Sequence, residues 1–305
     1  PNAFNALGLD DLAAFTRVGV CGFTGAQVDT LSAADVQALE ADIANFNTAA
    51  MASLDSAQVA ALTNAQIIAL DVADVAAMTN LAFAGLSAVQ VAQLSTAQFD
   101  TLGTDDLQAL TNEAVSGITV AQIATLNAAD IVALGTDIAN LTTAAIAALT
   151  SDQVAALTVD QINAFDNLDL AALSSLGVVG LSALQVDQFD QADIVALGTD
   201  IANMDTAAMA SLDSAQVHAL TTDQVAALDS ADVAVLTPTA FDALSLSDLQ
   251  ALTSGAISGI TPAQVATLSN ADIVALGSDI ANLSTAAIAQ LSSSQVAALT
   301  SDQIN

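Results

Sequence analysis

An apolar anchor returns every eight residues from Leu7 to Leu299, and that interval suits neither a uniform helix nor a uniform strand. The anchor occupies 38 positions, 29 of them Leu and the rest Phe, Met or Ile. The residue three places before the next anchor is always Val, Ile, Leu, Met or Phe, and all nine Phe fall on one of these two positions. On one continuous helix, eight residues at about 100° each leave a stripe that drifts by about 80° per unit. The alternating spacings of five and three match neither heptads nor hendecads. In a strand the same odd spacings would send the two apolar positions to opposite faces, and Ala, Asp and Gln are poor strand formers.

Position 2, directly after the anchor, resolves the conflict. It is Ser, Thr, Asp, Asn or Gly in every unit but one, where Glu40 stands. These residues cap helix N-termini, because a short side-chain oxygen accepts a bond from an orphan backbone N–H. Position 5 is Gln or Asp in most units, as in "LTSDQVAAL" at Leu149–Leu157. Thr-x-x-Gln has the spacing of a capping box, and Asp in a first turn complements the helix dipole. Each octad therefore reads as a turn, a cap and a helix of one to two turns. Position 6 and the next anchor share its inward face. Helices this short are unstable alone, so the units must stack. The expected fold class is all-α: a repeat solenoid of short capped helices, about one per eight-residue repeat, with Ala at its tight packing positions. A β-solenoid, which also uses short repeats and apolar ladders, is the alternative.

Four units are one residue short. They begin at Leu39, Leu134, Leu197 and Leu276, and three share the wording "LGTDIAN" or "LGSDIAN". Ile138 keeps its place three before Leu141, so the missing residue belongs to the turn between Leu134 and Asp137. Gly135 supplies backbone freedom there, with Glu40 in its place in the first copy. The last helical residue becomes Asn in all four (Asn45, Asn140, Asn203, Asn282), which is expected to end the helix in the left-handed conformation. Longer blocks repeat as well: Leu110–Asn140 matches Leu252–Asn282 at 23 of 31 positions. No composition shift or Pro-rich linker breaks the pattern. Residues 1–305 are expected to form a single continuous octad-repeat solenoid, and the cut octads at Pro1 and Asn305 suggest a window on a longer tandem array.

Composition narrows the partners. A mean hydropathy of +0.63 reflects Ala, Leu, Val and Ile, yet no apolar run approaches the roughly 18–20 residues that span a bilayer. There are 33 acidic side chains against one Arg and no Lys, a net charge of −32. Such a chain repels nucleic-acid phosphates and anionic lipid. Divalent cations are what it would attract, and weak calcium binding by dispersed Asp is kept open. No recognisable calcium loop is present, so metal ligands are not assigned.

Parts for catalysis are missing. One His, one Cys and one Arg cannot supply a triad or a histidine metal site, and neither a P-loop nor a dinucleotide fingerprint occurs. No catalytic or cofactor-binding residue is assigned, and no small-molecule substrate is evident. His218 in "AQVHAL" and Cys21 in "VGVCGF" occupy a slot usually held by Ala and read as surface substitutions. Arg17 stands beside a cap, and the pairs Asp10–Asp11 and Asp105–Asp106 read as first-turn helix aspartates.

Units such as "LTSDQVAALTVDQINAF" and "LTTDQVAALDSADVAVL" resemble the octapeptide arrays of very large bacterial surface or secreted proteins, filament-forming and often described as adhesin-like. The resemblance covers essentially the whole chain and implies an extracellular or cell-surface structural or adhesive role. It carries over no functional residue. The expected function is a non-enzymatic structural repeat protein that self-associates into a filament, fibre or surface stalk. The alternative is the spacer of an adhesin whose binding domains lie outside this segment. An acidic rod mimicking DNA is a third option, opposed by the scatter of Asp over several octad positions.

Overall fold

The computed structural model describes residues 4–304; Pro1 and Asn305, at which the terminal octads are cut, lie outside them. Among the described residues are 34 α-helices of four to six residues and five 3-10 helices, with no strand. The all-α expectation holds and the β-solenoid alternative is excluded for these residues. The chain divides into two compact units, Pro1–Ala148 and Leu149–Asn305, and the same rules of construction operate inside each.

A representative octad shows why. Ser95 caps the helix Thr96–Phe99 in an extended conformation, its hydroxyl accepting from the Gln98 N–H at 3.3 Å, while Gln98 Oε1 accepts from the Ser95 N–H at 2.7 Å. Two orphan donors are satisfied, and the helix starts where the sequence places it. Phe99 and Leu102 then turn inward together. Before the cap, the anchor Leu94 is itself extended, with φ −62° and ψ 128°. Two successive extended residues thus swing the chain from one helix to the next.

Stacking makes these fragments stable. In the first unit, Ala88–Gln93 packs on Asn64–Ala69, three repeats back, and under Asn112–Val115, three repeats on. In the second, Thr206–Ser211 packs in the same way between Ala183–Val186 and Ser230–Val235. Each octad contributes two large apolar side chains to the core, and burying a Val or Leu is worth about 1.5–3 kcal/mol. That gain is what a four- to six-residue helix lacks in isolation. At the start of the first unit the core is aromatic: Phe23 meets Phe4 and Phe15 edge-on, with ring centroids 5.0 and 5.1 Å apart.

The seven-residue units are 3-10 helices, Glu40–Asn45, Gly135–Asn140, Gly198–Asn203 and Gly277–Asn282. Here the anchor stays helical (Leu134, φ −62°, ψ −13°) and the next residue is left-handed: φ is +55° at Gly135, Gly198 and Gly277 and +46° at Glu40. One left-handed step replaces the extended pair of an octad, which is how the turn loses a residue. The 3-10 form recovers the length, since it rises about 2.0 Å per residue against about 1.5 Å for an α-helix. Ile138 and Leu141 accordingly remain in the core. The expectation for the other end is corrected. Asn45, Asn140, Asn203 and Asn282 are not left-handed; each Nδ2 instead donates to the carbonyl of the Asp three residues earlier, at 3.0–3.1 Å. The left-handed residue opens the short helix, and the Asn amide closes it.

Nothing lies within 4 Å of where a Cβ would stand on Gly135, Gly198 or Gly277, so the backbone angle alone selects glycine. Glu40 bears that cost, about 1–2 kcal/mol for an L-residue in this region. It exceeds the roughly 0.4–1 kcal/mol of freedom that Gly adds to the unfolded chain. Glu40→Gly is therefore expected to stabilise the first unit, by up to about 1 kcal/mol. A urea midpoint equal to or below that of the unsubstituted protein would contradict this.

Candidate functional site

The most specific polar geometry in the molecule is made by the position-5 glutamines. Gln122 accepts from the Thr119 N–H through Oε1 at 2.8 Å, completing the box at the start of Val120–Ile123. Its Nε2 then donates twice to an earlier coil, to the Val91 carbonyl at 2.9 Å and the Leu94 carbonyl at 2.8 Å. The Val91 carbonyl lies in the last turn of Ala88–Gln93 and also accepts from the Leu94 N–H at 3.1 Å, while the Leu94 carbonyl belongs to the extended turn that follows. A primary amide has two donors and one strong acceptor, and here all are used in a buried setting. The arrangement repeats for Gln90 on Val59 and Leu62 and for Gln58 on Val28 and Leu31. In the second unit it recurs for Gln185, Gln216, Gln264 and Gln295.

These ties also locate the coil. A helix packs on its counterpart three repeats back, while its Gln reaches the end of the helix four repeats back and the turn that follows. One coil therefore takes between three and four repeats, and helices of successive coils are staggered. Over the short units the register changes by one residue. Gln66, Gln224 and Gln303 donate to the carbonyls of Glu40, Gly198 and Gly277 at 3.1 Å. Those are the left-handed residues. Because the preceding anchor is helical there, the residue after it supplies the acceptor that an extended anchor supplies elsewhere.

The tie was missed in the sequence, where Gln served only as a capping-box partner. A signal was present. Position 5 holds fourteen Gln, and a capping box uses only the amide oxygen, which leaves two N–H donors per Gln in need of partners.

Beside the ties the backbones of two coils come into close contact at four glycines in position 8. A Cβ on Gly85, Gly117, Gly180 or Gly259 would lie 1.9–2.1 Å from the backbone oxygen of Ser56, Ala88, Ser151 or Ser230, each 29 residues earlier. Every one precedes an anchor whose unit carries a tying Gln. Absence of a side chain lets two backbones meet, and the glutamine fastens the contact.

Where position 5 is Asp, the cap bond survives without the tie. Asp74 Oδ2 accepts from the Asp71 N–H at 2.8 Å, and Asp71 Oδ1 accepts from the Asp74 N–H at 2.9 Å. Asp166–Asp169, Asp190–Asp193 and Asp229–Asp232 pair in the same way. Burial pushes the carboxyl groups of Asp74, Asp169, Asp193 and Asp232 above the ordinary aspartate range; the cap N–H bond pulls them down, and the partner carboxylate pushes them up.

The residues singled out for chemistry lie apart in the chain. Asp11 and Asp106 accept from the cap N–H groups of Gly8 and Gly103 at 2.9 Å, while Asp10 and Asp105 occupy first turns. Arg17 opens a helix whose end is the exposed Cys21. His218 is exposed and its Nδ1–H donates to the Ala243 carbonyl at 3.1 Å. Among the described residues no group of three or more His, Cys, Asp or Glu is placed to hold a metal ion, and no helix is long and apolar enough to cross a membrane. Shallow open grooves flank the helices before two short units, one beside Ala192, Val195 and Ala196, the other beside Ala271, Val274 and Ala275.

Comparison with known proteins agrees with this architecture at the level of the repeat. The ALTTAQ repeat family matches residues 40–72, 135–167, 199–230 and 277–305, together under half of the chain. Each match opens at a left-handed residue or one place after it, so that each matched stretch of this chain begins in a 3-10 helix. No curated protein matches the chain. A solved structure, the leucine-rich repeat-containing protein LegL7 from Legionella pneumophila, is similar at 14% identity over 91% of this chain and 80% of that one, with a TM-score of 0.15. The stacking and the four family matches together make this chain a repeat protein, an α-solenoid of short capped helices.

Proposed function

We propose that this chain is a structural, non-enzymatic protein whose stacked coils form the body of an extracellular filament, fibre or surface stalk. The observation that carries the proposal is the use made of its polar side chains. The Gln amides, the cap hydroxyls and the Asn amides bond to backbone within their own unit or in a neighbouring coil. Side chains recruited for a ligand would break this pattern at some point along the array. The proposal takes residues 1–305 as one continuous array, with calcium as a weak ligand of its exposed aspartates and copies of the chain as its partners. Lateral contact beside the short units has the apolar grooves at Val195 and Val274 to draw on.

Electron microscopy of the purified segment, with and without millimolar calcium, tests this. Ordered filaments in either condition are expected, with a lateral spacing that changes when one "GTDIAN" is replaced by an octad. Isolated particles in both conditions would instead favour the spacer of an adhesin, with binding functions carried by other parts of a longer protein.

A further inference from the structure

A carboxylate drawn into this solenoid has almost nothing to pair with. The chain offers one Arg, no Lys and one His against 33 acids. Yet Asp74, Asp169 and Asp232 are buried, and each shares its cap with a second carboxylate, Asp71, Asp166 or Asp229. The surroundings bring no cation. Val72–Ala77, which carries Asp74, packs on Thr48–Met51, which has no ionisable group, and on Thr96–Phe99, which ends at Asp100. Asn167–Ala172, which carries Asp169, packs on Gln191–Ala196 with Asp193 and its cap Asp190. Ser230–Val235, which carries Asp232, packs on Thr206–Ser211, capped by Asp205, and on Ser254–Ile257, which has no ionisable group. The facing groups are acids or nothing, and a proton is the available counter-charge.

We infer that the paired capping aspartates are a proton-operated fastener: as the medium acidifies, Asp74, Asp169 and Asp232 take up protons in place and the coils they hold become more stable. A protonated carboxyl still accepts the cap N–H bond, loses the cost of a buried charge, and no longer repels its partner. The direction follows from linkage. Burial raises these carboxyl groups in the folded state. Their contribution to stability is therefore complete below the unfolded value of about 3.9 and is lost as pH rises through the higher folded value. Mild acid should strengthen this protein, the reverse of ordinary acid denaturation.

Relief of the net charge acts in the same direction, so the test separates the two. Thermal unfolding of the full chain is followed in steps from about pH 7 to about pH 4, near the unfolded aspartate value, for two triple variants with equal charge changes. One is Asp74→Asn, Asp169→Asn and Asp232→Asn; the other alters the exposed first-turn residues Asp152, Asp160 and Asp223 to Asn. The unsubstituted protein and the exposed triple are expected to gain several degrees on acidification. The buried triple should begin higher at neutral pH and lose most of that gain. An acid-induced rise equal in both triples, or a neutral-pH midpoint lowered by the buried triple, would overturn the inference. Carboxyl-carbon NMR titration of the unsubstituted protein checks it independently: midpoints for the three groups within the ordinary aspartate range would also overturn it.

Discussion

Replacing Gln122 by Glu is expected to loosen the coil around it by about 3–5 kcal/mol at neutral pH, although the side chains are nearly the same size. The carboxylate can still accept the Thr119 N–H, so the capping box is kept. It can donate nothing to the Val91 and Leu94 carbonyls, and it sets a buried negative charge against two carbonyl oxygens. The Val91 carbonyl keeps the Leu94 N–H, but the Leu94 carbonyl loses its amide donor, and leaving a buried acceptor unpaired costs about 1–3 kcal/mol by itself. Amides of Val120–Ile123 and of the turn at Leu94 should exchange at least a hundredfold faster, which corresponds to about 2.7 kcal/mol. Acidification should restore part of the protection, because a protonated Glu regains one donor. Gln122→Met, which keeps the bulk and loses both functions, should fall between the two at neutral pH and show no such recovery. Equal exchange in the Glu variant and the unsubstituted protein would mean that the cross-coil bonds carry no net stability.

A single methyl group at Gly117 is the other change expected to have a large effect. The Cβ of Gly117→Ala would sit 2.0 Å from the Ala88 oxygen and 2.6 Å from its carbonyl carbon. Both are backbone atoms, so no side chain can rotate away and the coils must separate. Separation would stretch the Gln122 ties, which lie five residues further along. A loss of about 3 kcal/mol or more is expected, beyond the usual range for overpacking because the clash is with main chain. Gly135→Ala is the matched control. Its Cβ meets nothing within 4 Å, and only the left-handed angle of +55° opposes it, for a net cost of about 1 kcal/mol once the freedom that Gly adds to the unfolded chain is set against it. Urea unfolding of both variants gives the comparison. If Gly135→Ala were as damaging as Gly117→Ala, the close approach would not be what selects glycine at position 8.

Those two sites mark where the sequence stops being sufficient. Local chemistry was legible in it. The octad period excluded uniform helix and strand, the cap residues at position 2 placed helix starts such as Ser95 and Thr119, and the two apolar positions named the core. The tight turn at Gly135 could also be read, because a turn that loses a residue needs backbone angles that Gly adopts at least cost. Each of these depends on residues within about one repeat of one another, and such interactions are written in adjacent letters. Asn140 was misread for the same reason: an Asn at a helix end suits either a left-handed cap or a side-chain bond to an earlier carbonyl, and the sequence does not separate them. Only tertiary structure decided what lies about 29 residues away. It set the coil at between three and four repeats, brought Gly117 onto Ala88, and pointed the spare amide of Gln122 at Val91 and Leu94. A capping box accounts for Gln122 completely until a second coil is present to receive its other two hydrogens. The number of repeats in a coil is set by how bulky side chains pack around a shared core, which no single repeat contains.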